Sequence, residues 1–427
     1  MRLSAEQEQM ISGKQGRARQ KAMEILYAMG EARQAERMVD ICYAHLMPPE
    51  VMFFPYGKQG LWDREMTEEL TQGLSQFRVP TTIEPRFVDL HVARELGFDA
   101  ATIAEIDSIM SQGALLYEKL GVVPTYSALP FYVFPTKQGQ HVSIAESIAI
   151  LWYNTIFGSR CERDDGITSL SAAITGCVPE VGMHLEENRR GEVLVRFKDD
   201  INFSNFTDAD YDALSLAMSM QTHEKIPVVD GMPSWVGTNY TLLKHLLATI
   251  AVESGLPLMH IVGITPEAPT VEAAFGGVRP SSEVTIGKSD LEQVYQLACT
   301  ASDPAVDYVL LGCPHLTVQE LAELAEEMEG KKVSDNVRLI VSTSSFFKKV
   351  ADDFGYIDVI RKAGAHIAID MCIAFAGTQT SGTIATNTLK GAFFYSGFSS
   401  DNKRKVWFGS TRACARAALT GNWSSGR

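Results

Sequence analysis

The chain has 427 residues, of which 45% are hydrophobic and 21% charged. These fractions match globular proteins and exclude collagen, coiled-coil and wholly disordered classes, and the length allows roughly two to three domains or one large one. Lys and Arg total 38 against 52 Asp and Glu, a net charge of −14, so nucleic acid is not an expected partner.

No apolar run reaches the roughly 18 residues of a membrane span. The most apolar stretch, Ile148 to Phe157, is interrupted by Asn154 and bounded by Glu146 and Arg160. The opening MRLSAEQEQM has no apolar signal core, which leaves the cytoplasm as the expected compartment. Seven scattered cysteines, an odd number, do not form a disulfide framework. Reduced thiols remain available for packing, catalysis or metal.

Ser4 and Gln7 have capping-box spacing, and Ala18, Ala22, Ile25, Leu26 and Met29 follow a helical period. A loop rich in Pro, Gly and aromatics spans Met47 to Gly60. A second irregular stretch, Gly121 to Gly139, holds three prolines. The run Ile148 onward reads as an apolar helix that breaks at Gly158-Ser159-Arg160. Gly263-Ile264-Thr265-Pro266-Glu267 suits a strand-to-helix turn, with Ala273 and Ala274 in the helix.

From about residue 300 strands and helices alternate. The predicted strands are Tyr308–Leu311, Arg338–Val341, His366–Ile369 and Val406–Phe408. Helices follow from Thr317 and Glu320, from about Ser345, and from Ser410 to Leu419. This alternation predicts an α/β fold with mainly parallel sheets. We divide the chain into an N-terminal helical and α/β region, 1–300, and an α/β region, 301–427.

Cys313 and Cys372 each follow a predicted strand, and Cys414 lies in the first turn of a predicted helix. Ligand sites in open α/β sheets collect beyond the carboxyl ends of strands, and helix N-termini stabilise thiolate. Three such thiolates suit iron or zinc, but the wide spacings carry no local metal motif and by themselves favour ordinary buried cysteines. His45, His184, His260, His315 and His366 read as core or loop histidines. Arg160 and Arg163 suit either a carboxylate clamp or an ion-pair network with Glu162, Asp164 and Asp165. Thr386-Asn387-Thr388-Leu389-Lys390 suits either anion recognition or a solvated helix start. No Walker loop, G-x-G-x-x-G or G-x-S-x-G occurs, so nucleotide-dependent and serine-hydrolase chemistry lack their signals.

Several segments, spread over nearly the whole chain, carry a resemblance. They include His45, Val79-Pro80-Thr81-Thr82, Glu146-Ser147, Gly158-Ser159-Arg160 and His260 through Ala268. Gly312-Cys313-Pro314-His315, Asp370-Met371-Cys372, Thr386 through Lys390 and Cys414 complete the set. In these the chain resembles the large catalytic subunit of aconitase X, a family of hydro-lyases in the aconitase superfamily. The resemblance implies an aconitase-like multi-lobed architecture with mainly parallel sheets flanked by helices. It implies an iron–sulfur cluster, [2Fe–2S] or [4Fe–4S], held by Cys313, Cys372 and Cys414. It also implies Lys390, Ser147 and Asn154 as catalytic, and Arg160, Arg163, Thr386, Asn387, Thr82 and His45 as substrate-binding.

The implied reaction is dehydration of a small 3-hydroxy acid. The foremost candidate is cis-3-hydroxy-L-proline, giving Δ1-pyrroline-2-carboxylate; mevalonate 5-phosphate is the alternative. A non-catalytic, cluster-bearing sensor is the alternative of another class. The family's swivelling small domain is not expected within this chain, so a separately encoded small subunit is the expected partner. Two departures bear on the site. Where the family has Thr-Cys-x-Pro-Tyr, this chain has Thr125-Tyr126-Ser127-Ala128-Leu129-Pro130-Phe131. Where it has Gly-Ala-Arg-Thr-Asn-Arg, this chain has Gly158-Ser159-Arg160-Cys161-Glu162-Arg163, making Cys161 a stand-in candidate for the third ligand.

Overall fold

The computed structural model describes residues 1–49, 62–397 and 404–424. From residue 50 on, the loop expected between Met47 and Gly60 lies outside them. Among the described residues no helix is long and apolar enough to cross a membrane.

Three lobes are each built on a small parallel sheet. In the first, Ala44–Leu46 lies between Thr81–Ile83 and Ser143–Ile144. In the second the strand order is His260–Ile261, Pro227–Val229, Val193–Phe197, Ser282–Ile286. In the third it is His366–Ile369, Arg338–Thr343, Tyr308–Leu311, Thr383–Thr386, Lys405–Phe408. All of these neighbours are parallel, as repeated strand–turn–helix units require. The mixed α/β architecture with mainly parallel sheets flanked by helices, expected from the sequence, is present.

The third sheet separates two cores because strand side chains alternate faces. Leu310, Ile340, Ala368, Ile384 and Val406 face the main core. Val309, Leu311, Leu339, Val341, Ile367 and Ala385 face a second one. The helix Thr411–Thr420 covers that second face with Cys414, Ala415, Ala417 and Ala418.

The helix Ser147–Thr155 is apolar on all sides, and residues 148–155 are buried. Such a helix belongs inside a core rather than at a surface. It packs on Tyr240–Glu253, which in turn packs on Asp208–Thr222. The first lobe docks onto the third sheet through main-chain bonds. Arg86 N donates to Asp370 O, and Cys372 N donates to Arg86 O, each at 2.8 Å. That docking brings the turn after Thr81–Ile83 beside Cys372.

Candidate active site

At this junction lies a cavity of about 310 Å³. Glu84, Glu146, Ser147, Cys313, Cys372 and Lys390 supply most of its chemistry, and Arg163 stands at its exposed rim. Each group arrives from the end of a strand or the start of a helix, where backbone direction changes and side chains turn outward.

Gly312 makes the Cys313 turn possible. Its φ is +102°, and a Cβ there would lie 2.1 Å from the Ser342 carbonyl oxygen, so glycine alone fits. Glu146 is the N-cap of Ser147–Thr155, its carboxylate accepting from Ile148 N at 3.3 Å. Lys390 starts the helix Leu389–Gly397. Its Nζ donates to Glu146 Oε1 at 2.8 Å and lies 3.4 Å from Ser147 Oγ.

The charges are strongly coupled. Burial works against the Lys390 ammonium, but Glu146 and the two thiols outweigh it and hold its pKa above the usual lysine value. Burial pushes Glu146 upward, and Lys390 more than offsets this, leaving the carboxyl below its usual value. Lys390 offsets Glu84 less, and the Glu84 carboxyl shares a side-chain hydrogen bond with Glu146. Burial, and then the Glu146 charge, raise it well above a normal carboxyl, and its Oε1 is buried without a hydrogen bond. Two adjacent carboxyls do not both ionise cheaply, so one keeps its proton. Burial lifts Cys372 to about 11 and Cys313 further, with Lys390 pulling both down.

His315 lines the cavity, but both its nitrogens are engaged. Nε2 donates to Met371 O at 2.9 Å, and Nδ1 is 3.1 Å from Ser127 Oγ. Burial lowers its pKa to about 4, so it is a neutral strut between turns, as the sequence reading held.

The structure thus brings Lys390, Ser147, Cys313, Cys372 and Arg163 to one cavity. It does not bring the other named residues to the wall. Asn154 is fully buried; its amide donates to Cys161 O and Pro257 O, both at 2.8 Å, and its oxygen accepts from Arg189 Nη1 at 2.8 Å. Arg160 pairs with Glu186 and donates to His184 O. Asn387 is fully buried and donates to Thr411 Oγ1 at 3.0 Å, while Thr386 faces inward from its strand. Thr82 bonds Tyr43 and His45 Nδ1 behind the wall. Burial holds His45 near 3 and therefore neutral. The sequence reading missed Glu84. It follows the strand Thr81–Ile83 directly, a strand end where site residues collect, but the sequence reading assigned no strand there.

The three-thiol set also needs correction. Cys414 is fully buried in the second core, on the face of the sheet away from the cavity. The sequence located its first-turn position in the helix, but the helix covers the opposite face. Cys161 is fully buried as well, its Sγ 3.2 Å from Glu162 O, and it does not line the cavity. Two thiols, not three, reach the cavity among the described residues. Cys313, Cys372 and Cys414 therefore do not fit a cluster held by three thiolates.

Comparison with known proteins matches these lobes. Family models match in three pieces: aconitase X first domain over residues 1–187, second domain over 191–296, and third domain over 306–420. The cis-3-hydroxy-L-proline dehydratase of Pseudomonas aeruginosa is 28% identical over 430 residues, covering 100% of this chain and 71% of that protein. The phosphomevalonate dehydratase large subunit of Methanothermobacter thermautotrophicus is 32% identical over 384 residues, covering 89% of this chain and 90% of that protein. A crystal structure of holo-form aconitase X from Thermococcus kodakaraensis superposes with a TM-score of 0.83 at 28% identity, covering 98% of this chain and all of that one. The chain is accordingly an enzyme of the hydro-lyase class. Within that class it belongs to the aconitase X family.

Proposed function

We propose that this chain is the large subunit of a dehydratase that removes water from a small 3-hydroxy carboxylic acid. Cis-3-hydroxy-L-proline is the preferred substrate. The observation that carries this reading is the buried Lys390–Glu146 pair, set beside Glu84 and two thiols in one small cavity.

The cationic groups among the described wall residues are Lys390, already committed to Glu146, and the rim residue Arg163. That complement suits a single substrate carboxylate. A phosphorylated substrate such as mevalonate 5-phosphate needs a further cationic contact, which favours the imino acid.

In this reading Arg163 receives the carboxylate at the rim. Lys390 offsets the negative charge that grows on the substrate as its C2 proton leaves. Glu146 holds the ammonium in place, and Ser147 Oγ fixes the second side of the same nitrogen. Loss of the C3 hydroxyl as water leaves an enamine, which tautomerises to Δ1-pyrroline-2-carboxylate. The base is assigned to a separately encoded small subunit, since relatives named as large subunits cover nearly their whole length with this chain. A bound metal centre would supply Lewis acidity toward the leaving hydroxyl. The three-thiolate cluster does not fit the residues present, so no step is built on it. A cytoplasmic location remains part of this reading.

The test is a panel of cis-3-hydroxy-L-proline, its trans isomer and mevalonate 5-phosphate, run on the chain with its small partner. Turnover of the cis imino acid alone supports the assignment. Turnover of the phosphorylated acid alone overturns it.

A further inference from the structure

Three consecutive residues on the cavity wall, Arg163, Asp164 and Asp165, hold the charge that the other wall groups do not cancel. Lys390 and Glu146 neutralise one another. Burial and the Glu146 charge favour the protonated form of Glu84, and burial keeps His315 neutral. One guanidinium then stands against two carboxyls.

The acids of this loop differ in their partners. Asp165 caps the helix Gly166–Thr175 and accepts from Thr168 N at 2.7 Å. Glu162, which is not on the wall, accepts from Arg33 Nη2 at 3.2 Å and from Met183 N at 3.0 Å. Asp164 is held on one side only. Ser143 Oγ donates to its Oδ2 at 2.5 Å, while among the described residues Oδ1 accepts no hydrogen bond and no cation pairs with the carboxyl.

Burial, opposed by Ser143 and assisted by Glu162 and Asp165, lifts Asp164 from 3.8 to about 7, the behaviour of a carboxyl without a counter-ion. Arg163 is the mirror case. Its Nη1 donates to Ala251 O at 3.0 Å, and among the described residues no carboxylate pairs with its guanidinium. A guanidinium and a carboxyl that share one wall without pairing complement a zwitterion. An α-amino or α-imino acid carries its carboxylate and its ammonium on the same carbon. A phosphorylated or plain hydroxy acid brings negative charge alone, for which Asp164 is a repulsive neighbour.

We propose that Asp164 is a specificity-determining residue that receives the protonated ring nitrogen of the substrate while Arg163 receives its carboxylate, so that the cavity selects imino and amino acids over hydroxy acids lacking the nitrogen. This rests on the dehydratase reading of the cavity and names the charge pattern of its substrate. Ser143 holds the Asp164 carboxyl by Oδ2 and leaves Oδ1 for the ligand.

Binding of two unreactive ligands to the full-length chain with its small partner tests this without turnover. L-Proline carries the ring nitrogen; tetrahydrofuran-2-carboxylate has an ether oxygen in its place and nearly the same shape. Calorimetry should show L-proline as the tighter ligand by at least about tenfold, the effect of one hydrogen bond between charged groups. D164N should abolish that preference and D164E should retain part of it. D165N should leave it intact, because Asn still caps the helix. R163Q should weaken both ligands. The wild-type comparison stands even where a variant folds poorly. Equal affinity for the two ligands, no binding of L-proline, an unchanged preference in D164N or its loss in D165N would overturn the proposal. A chain that shows the preference but dehydrates no imino acid would instead count against the dehydratase reading alone.

Discussion

Lys390 Nζ lies 2.8 Å from Glu146 Oε1, a contact between residues 244 positions apart that joins the first lobe to the third. Both groups are buried, and a broken pair of this kind leaves an uncompensated charge inside the protein. K390A should therefore lower kcat/KM at least about 100-fold, roughly 3 kcal/mol of transition-state stabilisation. It should also raise the Glu146 pKa, because the chief opposing influence on that buried carboxyl is removed. Steady-state kinetics against pH, compared with K390R, checks both. Near-normal activity in K390A would show that the ammonium is only a strut.

The turn that presents Cys313 depends on Gly312. Its φ of +102° is unfavourable for any residue with a side chain, and the Ser342 carbonyl blocks the space a Cβ needs. G312A should cost roughly 3–5 kcal/mol from the combined backbone strain and overpacking. Thermal or denaturant unfolding of the variant measures this. A loss under about 1 kcal/mol would mean the neighbouring strand yields easily.

The parallel third sheet was legible in the sequence because its strands are short apolar runs ending in turn residues. Tyr308–Leu311, His366–Ile369 and the strand ending at Phe408 carry that pattern plainly. The capping boxes at Ser4 and Thr317 were legible for the same local reason. Which face a helix covers was not. Cys414 occupies the first turn it was expected to occupy, yet it points into the second core, a fact set by how Thr411–Thr420 docks on the sheet. Asn154 and Asn387 misled in the same way: amides in polar-looking stretches resemble ligand-binding groups until their partners are known. Glu84 was missed because its significance comes from Glu146 and Lys390, which approach only through tertiary contact.

Asn154 holds the loop around Cys161. Its oxygen accepts from Cys161 N at 3.0 Å and Arg189 Nη1 at 2.8 Å, and its amide reaches Cys161 O and Pro257 O. Arg189 is completed by Glu267, which accepts from Nε at 2.9 Å and from Nη2 at 2.9 Å. N154A strands several buried donors and acceptors, a cost of about 3 kcal/mol. The folded fraction should keep its KM and kcat within about threefold. A large rise in KM with an unchanged melting temperature would instead return Asn154 to the substrate.

Beneath the cavity, Asp212, His245, Glu320 and Lys244 form a fully buried chain of charges. His245 Nδ1 is 2.5 Å from Asp212 Oδ2 and its Nε2 is 2.9 Å from Glu320 Oε1. Lys244 Nζ donates to Glu320 Oε2 at 2.6 Å and to His315 O at 3.3 Å, and Asp212 Oδ1 accepts from Leu389 N at 3.4 Å. The chain thus grips the turns that carry Cys313 and Lys390. Burial and Lys244 lower the His245 pKa, but Asp212 and Glu320 prevail and lift it from 6.5 to about 10. For a base whose folded value is raised, the stabilisation is complete below 6.5 and disappears as pH climbs through 10. Burial raises Glu320, while Lys244 and His245 bring it from 4.5 down to about 2. For an acid whose folded value is depressed, the stabilisation is complete above 4.5 and disappears as pH falls through 2. The two contributions are both complete only between 4.5 and 6.5. The melting temperature of wild type should therefore exceed that of H245Q most in this window, with the difference shrinking steadily from pH 6.5 to 10. E320Q, which strands Lys244, should lose about 3–5 kcal/mol at pH 6. A wild-type to H245Q difference that stays constant up to pH 10 would mean that His245 is neutral in the folded chain and only packs.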